Sequence, residues 1–155
     1  MAIFFMLDIT YFCFFVGQYV DGKVVVCGGA KVDFYRDCYS LKVGESWHAE
    51  FHTMVYQKRY AESLVFNGEM IVMGGYNQNI GWLNAVEKRS SDGTWTEMEP
   101  WAMPRMIFDF CAVQMDDHRI MVLGKTYVVD FSGNRTKVRS AFYTAELIQL
   151  WNLIS

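Results

Sequence analysis

The chain has 155 residues, enough for one domain with a sizeable core, and is 52% hydrophobic, 17% aromatic and 20% charged. Its 14 Lys and Arg against 17 Asp and Glu give a net charge of −3, which excludes the basic footprint that nucleic acid or an anionic membrane requires. Only Pro100 and Pro104 interrupt the chain, and no single-sign or low-complexity block reads as a linker.

The first predicted element is an apolar stretch ending at Val16 and broken only by Asp8 and Thr10. The first Lys is Lys23, so no positive region opens a signal peptide, and Asp8 is costly in lipid. Phe12, Phe14, Phe15 and Val16 are aromatic or β-branched and are therefore expected in a buried strand, with a signal anchor as the alternative. Val24-Val25-Val26-Cys27 follows and ends at Gly28-Gly29. The same element recurs as Ile71-Val72-Met73 before Gly74-Gly75, and as Ile120-Met121-Val122-Leu123 before Gly124.

Gly28 and Gly74 are 46 positions apart, Gly74 and Gly124 are 50 apart, and Trp47 and Trp95 are 48 apart. Two independent landmarks thus share one period. Before the first two glycine-ended strands stand Asp21-Gly22 and Asn67-Gly68, which favour two-residue type I′ hairpins because both central positions need positive φ. Asp116-Asp117 occupies the third position and reads as a polar turn; adjacent acids on a hairpin point apart and cannot share a proton. A third strand (Asp37 to Leu41, Leu83 to Glu87) and a fourth around the Trp complete four short strands per unit, the content of a propeller blade.

These residues resemble the kelch repeats, in the strand ending in Gly-Gly, the aromatic or apolar third strand, and the Trp: Gly28, Gly29, Tyr39 and Trp47, then Gly74, Gly75, Val86 and Trp95. The resemblance covers nearly the whole chain. It implies an all-β, partial and open kelch-type β-propeller of four-stranded antiparallel blades, with units at about 9–52, 59–98 and 105–138 and the start of a fourth at 139–155. The third unit departs from the pattern: Gly124 is followed by Lys125, a third strand from Thr126 to Phe131 follows at once, and no Trp closes it. Three units and a stub do not close a ring, so the chain is expected to be a fragment, a degenerate product without independent function, or a protein whose open sheet edges self-associate.

The same resemblance implies a non-enzymatic module that binds a protein or peptide partner through loops. The expected contacts are Tyr76, Asn77, Gln78, Asn79 and Trp82 in the polar loop after the second glycine doublet, with Arg59 and Arg105 before first strands. Neither a catalytic motif nor a cofactor is expected. His48 and His52 have no carboxylate partner motif and read as solvated histidines, as does His118, and a copper oxidase of the kelch type would need Tyr and His ligands in a context these units lack.

Cys13, Cys27, Cys38 and Cys111 form no C-x-x-C pair and are expected to be reduced in a cytoplasmic protein, with Cys27 and Cys38 able to bridge if it is secreted. In that alternative Asn134-Arg135-Thr136 is a glycosylation acceptor and the apolar N-terminus an anchor.

Overall fold

The computed structural model describes residues 14–30, 35–99, 102–103, 108–129 and 135–146, with side chains described up to residue 124 except at 108 and 109. Among these the chain is all-β, with no α-helix, and so with none long and apolar enough to cross a membrane. Two four-stranded antiparallel sheets and one three-stranded sheet follow one another along the sequence.

Sheet 1 consists of β1 (Val16–Val20), β2 (Lys23–Cys27), β3 (Cys38–Leu41) and β4 (His48–Ala49), in that order. Sheet 2 repeats the plan with β5 (Glu62–Phe66), β6 (Glu69–Met73), β9 (Val86–Arg89) and β10 (Trp95–Glu97). Between β6 and β9 it carries a small hairpin of β7 (Tyr76–Asn77) and β8 (Gly81–Trp82). Sheet 3 holds β11 (Phe108–Asp116), β12 (Arg119–Val129) and β13 (Arg135–Glu146).

The two hairpin turns form as their sequences require: Asp21 and Gly22 have φ of 54° and 73°, and Asn67 and Gly68 have 50° and 82°. They fix register, pairing Val20 with Lys23 and Phe66 with Glu69. In the third hairpin Asp116 pairs with Arg119 after a register shift, and its carboxylate accepts bonds from the His118 amide and the Arg119 guanidinium. Those bonds, Arg119 first, hold the Asp116 carboxyl below its ordinary range.

Period-two alternation then sorts the side chains of sheet 2 between its neighbours. Met70 and Val72 of β6, with Val65 and Trp95, pack against Val16, Val20, Val25, Cys27 and Cys38 of sheet 1. Ile71 and Met73, with Leu64, Phe66 and Val86, pack against Ile120, Val122, Phe110 and Ala112 of sheet 3. Sheet 2 is therefore covered on both faces, which is why its central strand reads as an unbroken apolar run. Polar ties hold sheet 1 to sheet 2: the Gln18 amide donates to the Ser63 carbonyl at 2.7 Å, and the buried Arg89 reaches Asp21 at 3.0 Å and Glu50 at 3.1 Å.

Several expectations are corrected. Phe14 and Phe15 are exposed and precede β1, which begins at Val16: Val16 pairs with Cys27, and Gly28 then turns away with φ 70°, so no partner strand extends further back. Residues 1–13, including the rest of that apolar stretch, lie outside the described residues. Cys27 and Cys38 are not free thiols but a disulfide; they are register partners on β2 and β3, with Cα atoms 4.1 Å apart. Trp47 is only half-buried and precedes β4, whereas Trp95 opens β10, where the fourth strand was expected, and enters the core.

The third unit diverges most. No break occurs at Gly124: β12 runs straight through it to Val129, so Thr126 to Val129 prolong the second strand and form no separate third one. The third place is taken by β13, where Arg139 to Glu146, expected to open a fourth unit, pair with Arg119 to Thr126. The cause is local, because a single glycine followed by Lys125 lacks the doublet that reverses the chain at Gly28-Gly29 and Gly74-Gly75.

Candidate functional site

Strand direction places the Gly-Gly loops and the connections between sheets at one end of the sheets, with the type I′ turns at the other. At the loop end the second glycine doublet brings two segments into contact. Gly75 has φ 93°, and a Cβ there would lie 2.8 Å from the Arg59 carbonyl oxygen. Only glycine permits that approach, and it allows Arg59 and Tyr76 to exchange both backbone hydrogen bonds, at 3.1 and 2.8 Å. The stretch leading out of sheet 1 is thereby joined to the β7–β8 hairpin.

The hairpin is shaped from inside by Asn77. Its Oδ1 accepts from the Asn79 amide at 2.8 Å and the Ile80 amide at 3.0 Å, while its Nδ2 donates to the Gln57 carbonyl at 2.8 Å. Asn77 is only 4% exposed, so it positions the loop and presents nothing to solvent, unlike the surface contact expected for it. Gln78 and Asn79 are exposed at the tip beside Ile80, which is 62% exposed.

An aromatic patch lies against this hairpin. Tyr76 and Trp82 are register partners whose rings meet edge to face at 5.4 Å. Tyr60 lies 6.2 Å from Trp82 and 4.3 Å from Phe14, and the Arg59 guanidinium lies 4.8 Å from the Tyr60 ring and 5.7 Å from Tyr76. Of the seven expected contact residues, the structure joins Arg59, Tyr76 and Trp82, places Gln78 and Asn79 at the rim, and buries Asn77. Arg105 lies outside the described residues. Tyr60 and Ile80 were not among the expected contacts, and Phe14 was expected in a buried strand; Tyr60 adjoins Arg59 and Ile80 adjoins Asn79, but nothing in the sequence signals the positive φ of 58° at Tyr60 or 67° at Phe14.

Charge fixes the segment that carries Arg59 and Tyr60. Lys58 and Glu87 are a fully buried ion pair, and the second Glu87 oxygen accepts from the Val55 amide at 2.6 Å. Burial pushes the Lys58 amine below its ordinary range, and Glu87 opposes that shift. Tyr56 donates to Glu97 at 2.8 Å, and that carboxylate raises the pKa of the phenol. The Lys58 backbone in turn accepts from Gly29 and donates to Tyr35. The patch is thus held from both sheets.

The chemistry available is that of π-faces, an aliphatic side chain and a guanidinium stacked on tyrosines, and of these Trp, Tyr and Arg are the types enriched at binding hot spots in general. His48 and His52 are not drawn together into a site. His48 lies 3.8 Å from Glu45 in solvent, and His52 packs edge-on against Phe51 at 4.9 Å. Among the described residues no three His, Cys, Asp or Glu side chains are grouped to hold a metal ion. Scanned against models of protein families, the chain matches none, and no curated protein is significantly similar to it.

Proposed function

We propose that the three sheets are blades of a kelch-type β-propeller and that the chain is a non-enzymatic binding module, which takes a peptide or protein segment at the loop end. The observation that carries this reading is the patch of Tyr60, Tyr76, Trp82 and Arg59, built on a hairpin that the buried Asn77 holds in shape. A surface preorganised in this way loses little conformational entropy on binding. The 46-to-50-residue period and the repeated four-strand order of sheets 1 and 2 support the blade assignment. Selection from a random peptide library on immobilised protein tests the function. Peptides retained by the wild type and lost by Trp82→Ala support it; selection that ignores the substitution contradicts it.

A second reading concerns location, and the disulfide favours it. A buried Cys27–Cys38 bridge suits an oxidising compartment better than the cytoplasm expected from the sequence. Expression in a secretory host followed by glycosidase treatment checks this: a mobility shift abolished by Asn134→Gln supports export, and a reduced, unshifted protein contradicts it.

A further inference from the structure

Among the described residues, those other than glycine with positive φ are Phe14 at 67°, Asp21 at 54°, Tyr60 at 58° and Asn67 at 50°. Asp21 and Asn67 open the two type I′ turns, which require that conformation. Phe14 and Tyr60 stand in no hairpin turn, and they are the two members of one ring contact, with centroids 4.3 Å apart. Asn and Asp ease a left-handed backbone by local hydrogen bonds; a phenylalanine or tyrosine side chain does not, so both positions carry strain. Strain of this kind collects at ligand clamps and switch points, and here both strained residues lie in the loop-end patch.

The conformation of Tyr60 is set from both sides. Arg59 before it exchanges two backbone hydrogen bonds with Tyr76, Ala61 after it lies against Gly75, and Glu62 opens β5 opposite Met73. Phe14 is placed differently: it precedes the first ladder pair of sheet 1, Val16 with Cys27, by two positions and is 51% exposed. Its ring lies tilted by 53° on Tyr60, beside the Arg59 guanidinium, 4.8 Å from the Tyr60 ring, and Trp82, 6.2 Å from it. What Tyr60 accepts from its own chain is thus a phenyl ring. The ring contact and the left-handed strain at Phe14 are opposed and similar in size, so Phe14 sits there with little net advantage.

We propose that Phe14 is a built-in competitor for an aromatic subsite: its ring occupies the place on Tyr60 that an aromatic side chain of the partner takes, and binding displaces it. This rests on the peptide-binding reading and names the side chain that the loop-end patch selects. Displacement frees the Phe14 backbone from its left-handed conformation, which offsets part of the ring contact that the partner must break. An aromatic side chain restores the ring pair on Tyr60 and adds a π-face beside the Arg59 guanidinium; an aliphatic one does neither. The patch therefore discriminates by ring and not by apolar area alone.

Titration of the whole chain with N-acetyl-phenylalaninamide, followed by the ring resonances of Tyr60 and Trp82, tests this, with N-acetyl-leucinamide as the comparison. Phe14→Ala is expected to keep wild-type far-UV circular dichroism and to bind the phenylalanine amide about fivefold more tightly than the wild type does. Phe14→Tyr, which keeps a ring on Tyr60, should stay within about twofold of wild type, and adding Tyr60→Ala to Phe14→Ala should remove the gain. Equal, weaker or unmeasurable binding in Phe14→Ala overturns the competition. Leucine amide bound as tightly as phenylalanine amide overturns the aromatic selection. The wild type gives a readout that needs no variant: saturating phenylalanine amide should abolish the nuclear Overhauser contact between the Phe14 and Tyr60 rings, and a contact that persists contradicts displacement. Failure here is separable from failure of the peptide-binding reading. Trp82-dependent peptides with no gain from Phe14→Ala remove the competitor alone, whereas a gain from Phe14→Ala with peptide selection indifferent to Trp82→Ala removes that reading and leaves the aromatic subsite.

Discussion

Lys58 and Glu87 face each other in a place that water does not reach, their side chains 1% and 0% exposed, and they join the connection between sheets 1 and 2 to the third strand of sheet 2. Removing one partner leaves the other charged and buried, so Lys58→Met or Glu87→Leu alone should cost about 3–5 kcal/mol. The double substitution should recover part of that loss. It does not recover all of it, because the Val55 amide also loses its acceptor, at about 1–3 kcal/mol. Urea unfolding of the three variants checks the order; a double variant less stable than both singles contradicts it.

Glu50 sets the acid limit of the link between the first two sheets. Burial alone would raise its pKa, but hydrogen bonds from Lys23, Ser40 and Arg89 outweigh burial and bring it from 4.5 to about 2. The folded state therefore releases this proton more readily than the unfolded chain. The stabilisation is fully present above pH 4.5 and is lost as pH falls towards 2. At most about 3 kcal/mol depends on it. Urea midpoints measured across that range should fall more steeply for the wild type than for Glu50→Gln.

Two glycines with similar φ should respond differently to alanine. Gly68, at φ 82°, has open space around it, so Gly68→Ala should cost only the left-handed backbone strain of about 1–2 kcal/mol. Gly75, at φ 93°, lies against the Arg59 carbonyl and Ala61. Gly75→Ala adds a backbone clash to that strain and should be the more destabilising of the two by thermal unfolding, with the β7–β8 hairpin displaced.

Asn77→Ala should act on the loop more than on the core. It removes three hydrogen bonds, one of them to the Gln57 carbonyl, and should lower stability by about 1–3 kcal/mol. Amide exchange should accelerate at Asn79 and Ile80 while Ile71 and Val72 in β6 keep their protection. Uniform acceleration would mean that the hairpin unfolds only with the whole sheet.

The strand pairs and their turns were legible because they are written locally: Asp-Gly and Asn-Gly dictate backbone conformation, and apolar runs ending at Gly-Gly dictate where a strand stops. Sheet 3 was misread for the same reason. A lone Gly124 resembles the doublet in sequence but tolerates a continuous strand, and pairing with β13 extends β12 past it. The cysteines were expected to be reduced, with a bridge only in a secreted protein; it is the pairing of β2 with β3 that brings Cys27 opposite Cys38, and their spacing in the sequence does not state that register. At the loop end, residue type and position pointed to Arg59, Tyr76 and Trp82, and the structure places these three side chains together. Asn77 was misjudged because a short polar side chain in a loop serves equally as a surface contact or as an internal brace, and only the hydrogen bonds decide. Lys58 and Glu87 gave no local signal, being 29 positions apart and paired only by the packing of two sheets.

The proposed binding surface is most directly tested by calorimetric titration of a library-selected peptide into wild type, Trp82→Ala and Lys42→Ala. Lys42 is exposed at the opposite end of the sheets, beyond β3. A loss of about 2 kcal/mol or more for Trp82→Ala, roughly thirtyfold in affinity, with Lys42→Ala unchanged, is the predicted result. Equal affinity for all three proteins would place the binding surface away from the patch of Tyr60, Tyr76, Trp82 and Arg59 and contradict the account.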